Sequence, residues 1–289
     1  MKAGAFSYCR PTTVDDVLKL LQEHGYGARI LAGGQSLVPM LNMRLVRPEI
    51  IVDIGAVEGL GRLRATETGI AAGACVTYRQ LEDAALVRER APLMSTVLRH
   101  VGDIQVRNRG TIGGSLAQGE PTAEVPLACL VLGATVVAAS ARGTRAIPMS
   151  ELLLGPYETH LEPDELIVEV DLPPGGNRVA FAEATRRHND FAIVSAAATA
   201  SIADDGSVVD LSIGFGGVAD TAILAPAAAQ ALIGQHPTPE RIHAAVEACM
   251  NEIDPSSDAR SSADYRRHLA GQYLRKLIDQ LLPRLEAVA

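Results

Sequence analysis

The chain has no tryptophan, four phenylalanines and six tyrosines. So few rings leave little to stack on nucleic-acid bases. Positive charge is also scarce: 26 Lys and Arg against 34 Asp and Glu give a net charge of −8, which argues against a nucleic-acid partner. The four cysteines, Cys9, Cys75, Cys129 and Cys249, stand too far apart for a Cys-x-x-Cys ligand pair. No iron–sulfur cluster or zinc site is therefore expected on this chain, and buried free thiols are. Long apolar runs are missing. Val125–Ala139 is interrupted by Pro126 and Gly133 and reads as a buried helix followed by a strand, not as a transmembrane segment. Met1-Lys-Ala-Gly-Ala-Phe-Ser-Tyr8 has no apolar leader core, so the expected location is the cytoplasm.

The usual nucleotide signatures are absent too. No Gly-x-x-x-x-Gly-Lys-Ser/Thr occurs, and no Gly-x-Gly-x-x-Gly opens a helix, which excludes a P-loop and a dinucleotide site of the Rossmann kind. The seven histidines are scattered, with no His-x-x-x-His pair, and no Gly-x-Ser-x-Gly elbow is present. What remains is an ordinary globular composition, 47% apolar and 21% charged over 289 residues, enough for two or three compact units.

The rest of the chain is organised around one stretch, Asp103 to Glu124. It shows no hydrophobic period and reads as a loop carrying Gly110, Gly113 and Gly114 among Thr111, Ser115 and arginines. Glycines let a backbone turn through positive φ and approach a ligand closely, and successive bare N–H groups make a concavity for an anion. An earlier loop of the same kind is Ala32-Gly-Gly-Gln-Ser-Leu37. Two glycine pairs, each followed by serine, suit the two sides of one diphosphate. A diphosphate with an organic tail at each end is a dinucleotide.

A first unit, residues 1–55, reads as a small β-α-β arrangement. Thr12 or Thr13 caps a helix whose stripe is Val14, Val17, Leu18 and Leu21, and Gly25 stops it. Arg29–Ala32 is a short strand into the first glycine loop, Leu37–Met43 a helical turn after it, and Ile50–Ile54 a strand. If the turn is helical, its N-terminus adds to the attraction for phosphate. In a second unit, residues 56–176, Ile70–Cys75 is a strand. Thr77 caps a helix through Leu81, Pro92 starts another to about Val101, and Val125–Leu132 is helical. Thr135–Ala139 and Glu165–Leu172 are strands, and Pro173-Pro-Gly-Gly176 is a linker. In a third, residues 177–289, Val179–Thr185 is a strand. Ile193–Ala203 and Ser207–Phe215 pair through the Asp204-Asp-Gly206 turn. Helices follow at Pro226–Ile233, Pro239–Met250 and Asp264–Leu282. In the last, Tyr265, Leu269, Tyr273, Leu277 and Leu281 form a stripe read as core or subunit contact.

Ala32-Gly-Gly-Gln-Ser-Leu37, followed later by Arg107-Asn-Arg-Gly-Thr-Ile-Gly-Gly-Ser-Leu-Ala117, resembles the FAD-binding medium subunit of molybdenum hydroxylases. That group includes carbon monoxide dehydrogenase, xanthine dehydrogenase and dehydrogenases of N-heterocycles. The resemblance spans essentially the whole chain. It implies an α+β fold: a two-part FAD-binding domain of the para-cresol methylhydroxylase and vanillyl-alcohol oxidase type, then a C-terminal domain of a small antiparallel sheet with helices. It also implies that Ala32, Gly33, Gly34, Gln35, Ser36 and Leu37 form one wall around the FAD diphosphate. Thr111, Ile112, Gly113, Gly114 and Ser115 form the other. The hydroxyls of Ser36, Thr111 and Ser115 would donate to phosphate oxygens.

Glu124 matches an acid near the adenosine end of FAD; taken alone it reads equally as a charge at a helix N-terminus. Relatives often have His-Ala-Asp-Pro where this chain has Gln118-Gly-Glu-Pro121, so Glu120 keeps the acid while an imidazole becomes an amide. Phe191, in Arg186-Arg-His-Asn-Asp-Phe-Ala192, matches an aromatic against the isoalloxazine ring; alone it reads as core. Leu166 and Ile167 match apolar flavin contacts, and His100 and Ile104 line the cavity. Ala182 stands where some relatives carry a lysine near the flavin.

The implied function is an oxidoreductase subunit that carries non-covalent FAD, since neither motif offers a cysteine or histidine to link it. Molybdopterin is expected on a large partner subunit and two 2Fe-2S clusters on a small one, in a dimer of heterotrimers, with electrons leaving to an external acceptor. The substrate binds on another chain, so carbon monoxide, a purine, a nicotine-like heterocycle and an aldehyde are all compatible. The alternatives are a self-sufficient flavin oxidoreductase and a scaffold subunit that has lost its cofactor.

Overall fold

The computed structural model describes residues 2–187 and 189–282. Strand β1 (Ser7–Cys9) leads into helix α1 (Val14–His24). The Thr13 side chain accepts from the Asp16 N–H to start the helix, and Gly25, at φ +47°, ends it. Val17, Leu18 and Leu21 bury its apolar face. The sheet beneath is parallel, in the order β1-β3-β2, with β2 spanning Ala28–Leu31 and β3 Ile50–Asp53. Helix α2 (Leu37–Asn42) follows β2. Strand β1 escapes a periodicity search because three residues are too few to show alternation.

The second unit is a five-stranded antiparallel sheet, order β4-β5-β10-β6-β7. Its strands are β4 (Leu63–Ala65), β5 (Ile70–Gly73), β6 (Thr135–Ser140), β7 (Gly143–Pro148) and β10 (Leu166–Leu172). Between β5 and β6 the chain makes six helices: α3 (Tyr78–Asp83), α4 (Ala85–Arg90), α5 (Pro92–Val97), α6 (Ile104–Arg109), α7 (Ile112–Gln118) and α8 (Glu124–Leu132). Helix α9 (Met149–Leu152) and the hairpin of β8 (Leu153–Gly155) with β9 (Glu158–Thr159) lie between β7 and β10.

The organising stretch is thus not a loop. Asp103 accepts from the Val106 N–H to start α6, and Thr111 accepts from the Gly114 N–H to start α7. Caps open these helices, and each is too short to display an apolar stripe. The glycines in α7 are required by packing: a Cβ on Gly113 would lie 2.5 Å from that of Ala74. The unforeseen β4 and β7 are short, largely exposed edge strands, LRA and GTRAIP, whose apolar residues follow no alternation.

The third unit is a four-stranded antiparallel sheet of β11 (Arg178–Ala184), β12 (Val194–Ile202), β13 (Val208–Gly216) and β14 (Ile223–Leu224), in that order. Gly206 takes φ +85° in the turn between β12 and β13. Helices α10 (Pro226–Gln230), α11 (Pro239–Glu252) and α12 (Ala263–Leu281) share a core with one face of this sheet. Along β11, Ala180 and Ala182 point into that core, whereas Phe181 joins the core of the second unit. Helix α8, apolar around its whole circumference, packs between the two units, as such a helix must.

The stripe expected on α12 holds for four of its five residues: Leu277 and Leu281 are buried in the core and Leu269 and Tyr273 pack against it, while Tyr265 is exposed; Arg266, Ala270, Gly271, Leu274 and Ile278 complete the buried face. A repeat of every four residues drifts around a helix of 3.6 residues per turn. Cys129 and Cys249 are buried, Cys9 and Cys75 half-buried, and all four are free. Among the described residues no helix is long and apolar enough to cross a membrane.

Candidate functional site

The two glycine motifs, far apart in sequence, meet. Strand β2 delivers Ala32-Gly33, and the end of β5 receives α7: the N–H of Gly113 donates to the Ala74 carbonyl at 3.0 Å, and that of Ile112 to Val76 at 3.0 Å. Gly33 lies directly on the turn between α6 and α7. A Cβ there would sit 2.0 Å from the Arg109 carbonyl oxygen and 3.0 Å from the Gly110 Cα. One on Gly114 would be 3.7 Å from the Ala32 Cβ. Gly34 takes φ +75°, a conformation that costs any residue with a side chain.

The motifs differ in what they offer. Among the described residues no protein acceptor engages the backbone N–H of Gly33, Gly34, Gln35, Ser36 or Leu37. Ser36 is exposed, and its hydroxyl makes no cap bond at the start of α2. In the second motif every N–H from Ile112 to Ser115 is already spent inside the protein. Free donors therefore come from the first motif, and the second contributes close-packed shape.

Tyr78, which the sequence reading passed over as part of a capped helix, backs the second motif. Its N–H donates to the Gly110 carbonyl at 2.9 Å, and its ring is so close to Gly110 that a Cβ there would lie 2.7 Å from Cε2. Burial pushes its phenol pKa well up, with Ser115 opposing the rise, so it stays neutral.

Beside Tyr78 stands a wall of acids. Glu124 opens α8 with 7% of its surface exposed. Burial pushes its carboxyl up to about 8, and the charges of Glu183 and Glu120 add to the effect. Glu120 accepts from the Thr122 N–H and hydroxyl at 3.2 and 2.8 Å, and from the Tyr157 hydroxyl at 2.5 Å. Tyr157 holds a left-handed φ of +60°, uncommon outside glycine. Glu183 Oε1 lies 3.1 Å from His100 Nδ1, and the His100 ring rests 4.7 Å from the Phe181 ring. Gln118 donates to the Met40 sulfur at 3.8 Å and ties α7 to α2.

Phe191 is 57% exposed, not core, and its carbonyl accepts from the Arg260 guanidinium. Arg260 acts weakly to lower the Tyr157 phenol. Burial is the larger effect on Tyr157 and, with Glu120, pushes it up to about 12. Ile104 is exposed on the first turn of α6. Leu166 is buried in the cluster that joins the first two units, with Ala32 and Cys75 at its edge, and Ile167 in the core of the second. Ala182 is buried on the far side of the sheet from Glu183 and belongs to no part of this site. His188 lies outside the described residues. The open grooves beside Thr68 and the Pro173–Asn177 linker are at the other end of β5 and β10.

A chain built this way is an FAD-binding subunit of an oxidoreductase. Residues 4–175 match the family model described as the FAD binding domain in molybdopterin dehydrogenase, and residues 179–281 match the CO dehydrogenase flavoprotein C-terminal domain. The chain belongs to the FAD-binding medium-subunit family of molybdenum hydroxylases. It is 38% identical to the 6-hydroxypseudooxynicotine dehydrogenase complex subunit alpha of Paenarthrobacter nicotinovorans, covering 98% of this chain and 95% of that one. It is 37% identical to the nicotine 6-hydroxylase medium subunit of the same organism, covering 96% and 98%. Among solved structures, carbon monoxide dehydrogenase from Hydrogenophaga pseudoflava superimposes with a TM-score of 0.94 at 33% identity, over 97% of this chain and 98% of that chain.

Proposed function

We propose that this chain holds FAD non-covalently and acts as the electron-transfer subunit of a molybdenum hydroxylase. It takes electrons from 2Fe-2S clusters of a small partner subunit and passes them to an external acceptor. Substrate is oxidised at molybdopterin on a large partner subunit, and the assembly is a dimer of heterotrimers. The observation that carries this reading is the junction of the two glycine motifs at Gly33 and Arg109–Gly110, with the N–H groups from Gly33 to Leu37 left open. Open N–H groups beside a backbone that admits no side chain suit a diphosphate.

In this reading Ala32 to Leu37 donate to the diphosphate, with the Ser36 hydroxyl beside them. Thr111 to Ser115 shape the opposite wall. Glu120 and Glu124 meet the ribose hydroxyls, and His100, Ile104, Leu166 and Phe191 surround the ring system. When bound, FAD supplies the exchange between one-electron donors and one- or two-electron acceptors. The protein binds, orients and electrostatically tunes it. No side chain is assigned acid–base chemistry on substrate.

The test is the visible spectrum of the chain, purified alone and with its co-expressed neighbours. Flavin bands should leave the protein on acid precipitation and reappear in the supernatant. A panel of carbon monoxide, a purine, a nicotine-like heterocycle and an aldehyde should bleach them only in the complex. Bleaching in the isolated chain would instead make this a self-sufficient oxidoreductase.

A further inference from the structure

The Phe191 ring is 57% exposed, and the turn that leads to it, Arg186-Arg-His-Asn-Asp190 between β11 and β12, is polar throughout. With so much of the ring in water, packing alone does not set its posture. Side chains hold its main chain instead. The Phe191 N–H donates to Asp190 Oδ1 at 2.9 Å. Its carbonyl accepts from the Arg260 guanidinium, which also lies 3.9 Å from the same Asp190 oxygen. Arg187 Nε approaches the other oxygen of Asp190 at 3.4 Å.

Arg260 comes from a distant part of the chain, the connection 253–262 between α11 and α12. The grip is reciprocal. Arg186 reaches out from the turn and donates to the carbonyls of Ala259 and Arg260 at 3.4 and 2.5 Å. The connection is itself tied down: Asp258 accepts from the N–H groups of Arg260 and Ser261, both at 2.8 Å, and from the Arg266 side chain at 2.8 Å. Arg266, 5% exposed in the first turn of α12, also donates to the carbonyls of Ile193 and Gly217 at 2.5 and 3.0 Å, which fixes the foot of the same turn. Beside Gly217 the third unit meets the stretch that follows the second glycine motif: a Cβ on Gly216 would lie 3.6 Å from the Pro121 carbonyl oxygen.

Bonds from charged groups to both main-chain groups of Phe191 fix an aromatic face that the rest of the molecule leaves uncovered. A ring held in this way is preorganised to cover a flat partner, because the entropy of ordering a polar turn is already spent before the partner arrives. We propose that Arg260 is a positioning residue for the flavin: with Arg186 it clasps the α11–α12 connection to the β11–β12 turn and holds Phe191 in the posture that covers the isoalloxazine ring. It acts through Phe191, not on the cofactor. This rests on the FAD reading above, with Phe191 against the ring.

The experiment is a double-mutant cycle on the full chain loaded with FAD, Arg260→Ala against Phe191→Ala. Visible circular dichroism of the bound flavin, fluorescence titration with FAD and thermal unfolding are the readouts. Losing an aromatic face from the ring should weaken FAD about three- to tenfold in Phe191→Ala and alter the dichroism bands. Arg260→Ala should alter the bands in the same sense and weaken FAD by no more than Phe191→Ala does. The double variant should bind as Phe191→Ala does. Arg186→Ala, which opens the other half of the clasp, should show a smaller change of the same kind. Unchanged bands in Arg260→Ala, with or without a lowered melting midpoint, overturn the clasp and leave Phe191 at the flavin; so do losses that add in the double variant. Unchanged bands in Phe191→Ala take Phe191 away from the ring and the proposal with it. A wild type that binds no FAD overturns the FAD reading itself.

Discussion

Replacing Gly33 by alanine tests the junction on which the site depends. The added methyl would sit 2.0 Å from the Arg109 carbonyl oxygen, where ordinary contact begins near 3.4 Å, a deficit of about 1.4 Å. The obstacle is backbone and cannot rotate away. Nor can it retreat freely, because the Gly110 N–H is bonded to the Val106 carbonyl and the Gly110 carbonyl accepts from Tyr78. Overpacking of this kind costs about 1–3 kcal/mol, and a backbone clash belongs at the upper end. Parting the motifs also spoils the donor set. Two misplaced hydrogen bonds to a charged group, at about 1.5 kcal/mol each, weaken FAD about a hundredfold. Fluorescence titration measures the affinity, and thermal unfolding of the flavin-free chain should show a midpoint several degrees lower. Gly4→Ala, where a Cβ meets nothing within 4 Å, is the control. Unchanged affinity and melting in Gly33→Ala would refute the argument that these motifs press together to form the site.

Phe191→Ala should leave stability within about 0.5 kcal/mol, because the ring is exposed, yet alter the fluorescence quenching of bound FAD; an unchanged flavin spectrum would remove Phe191 from the site. Glu165 has only 3% of its side chain exposed and accepts from Arg145 at 2.7 and 2.8 Å, but Arg145 is 38% exposed and Arg142 stays 3.9 Å away, so Arg145→Met should cost about 1–3 kcal/mol at pH 7 by chemical denaturation. The Arg145 guanidinium holds the Glu165 carboxyl below its ordinary range, so that stability is present above the unfolded pKa and lost as pH falls; the variant's deficit should shrink in acid. Glu124 has the opposite sign. Its pKa is raised from 4.5 to about 8, so its contribution is present below the unfolded value and lost as pH rises through 8. At about 1.4 kcal/mol per unit the full effect is of order 5 kcal/mol, and flavin-free Glu124→Gln should be more stable than wild type at pH 9 and equal to it near pH 4.

Local chemistry was legible where one residue sets one bond. Thr13 and Thr77 cap the helices expected of them, and the Asp204–Gly206 turn joins β12 and β13. Both glycine motifs were legible as well, since their composition has few other uses. The hydrogen-bonding state of the second motif was not. Its N–H groups are spent on Ala74, Val76 and Thr111, and only the fold brings β5 to α7. Tyr78 was hidden for a similar reason, because its role depends on Gly110 and Ser115, far along the chain. Glu183 and His100 are 83 residues apart, and nothing local marks either as the other's partner.

The choice between neighbours on a strand shows where resemblance and geometry part. Matching by sequence directs attention to Ala182, where some relatives carry a lysine, and suggests a missing cation. Side chains alternate along a strand, so a shift of one residue changes the face entirely. In β11 it is Phe181 and Glu183 that turn toward the second unit, while Ala182 packs under the C-terminal helices. A lysine at 182 would lie in an apolar core. The residue facing the site is an acid, and its partner is the half-exposed His100. Gln118 acts in the same direction: the amide ties α7 to α2 and brings no titratable group of its own. Among the described residues no Lys or Arg pairs with Glu120, Glu124 or Glu183, so what stands on this side of the site is acid and amide, and burial above all pushes the Glu124 carboxyl up to about 8.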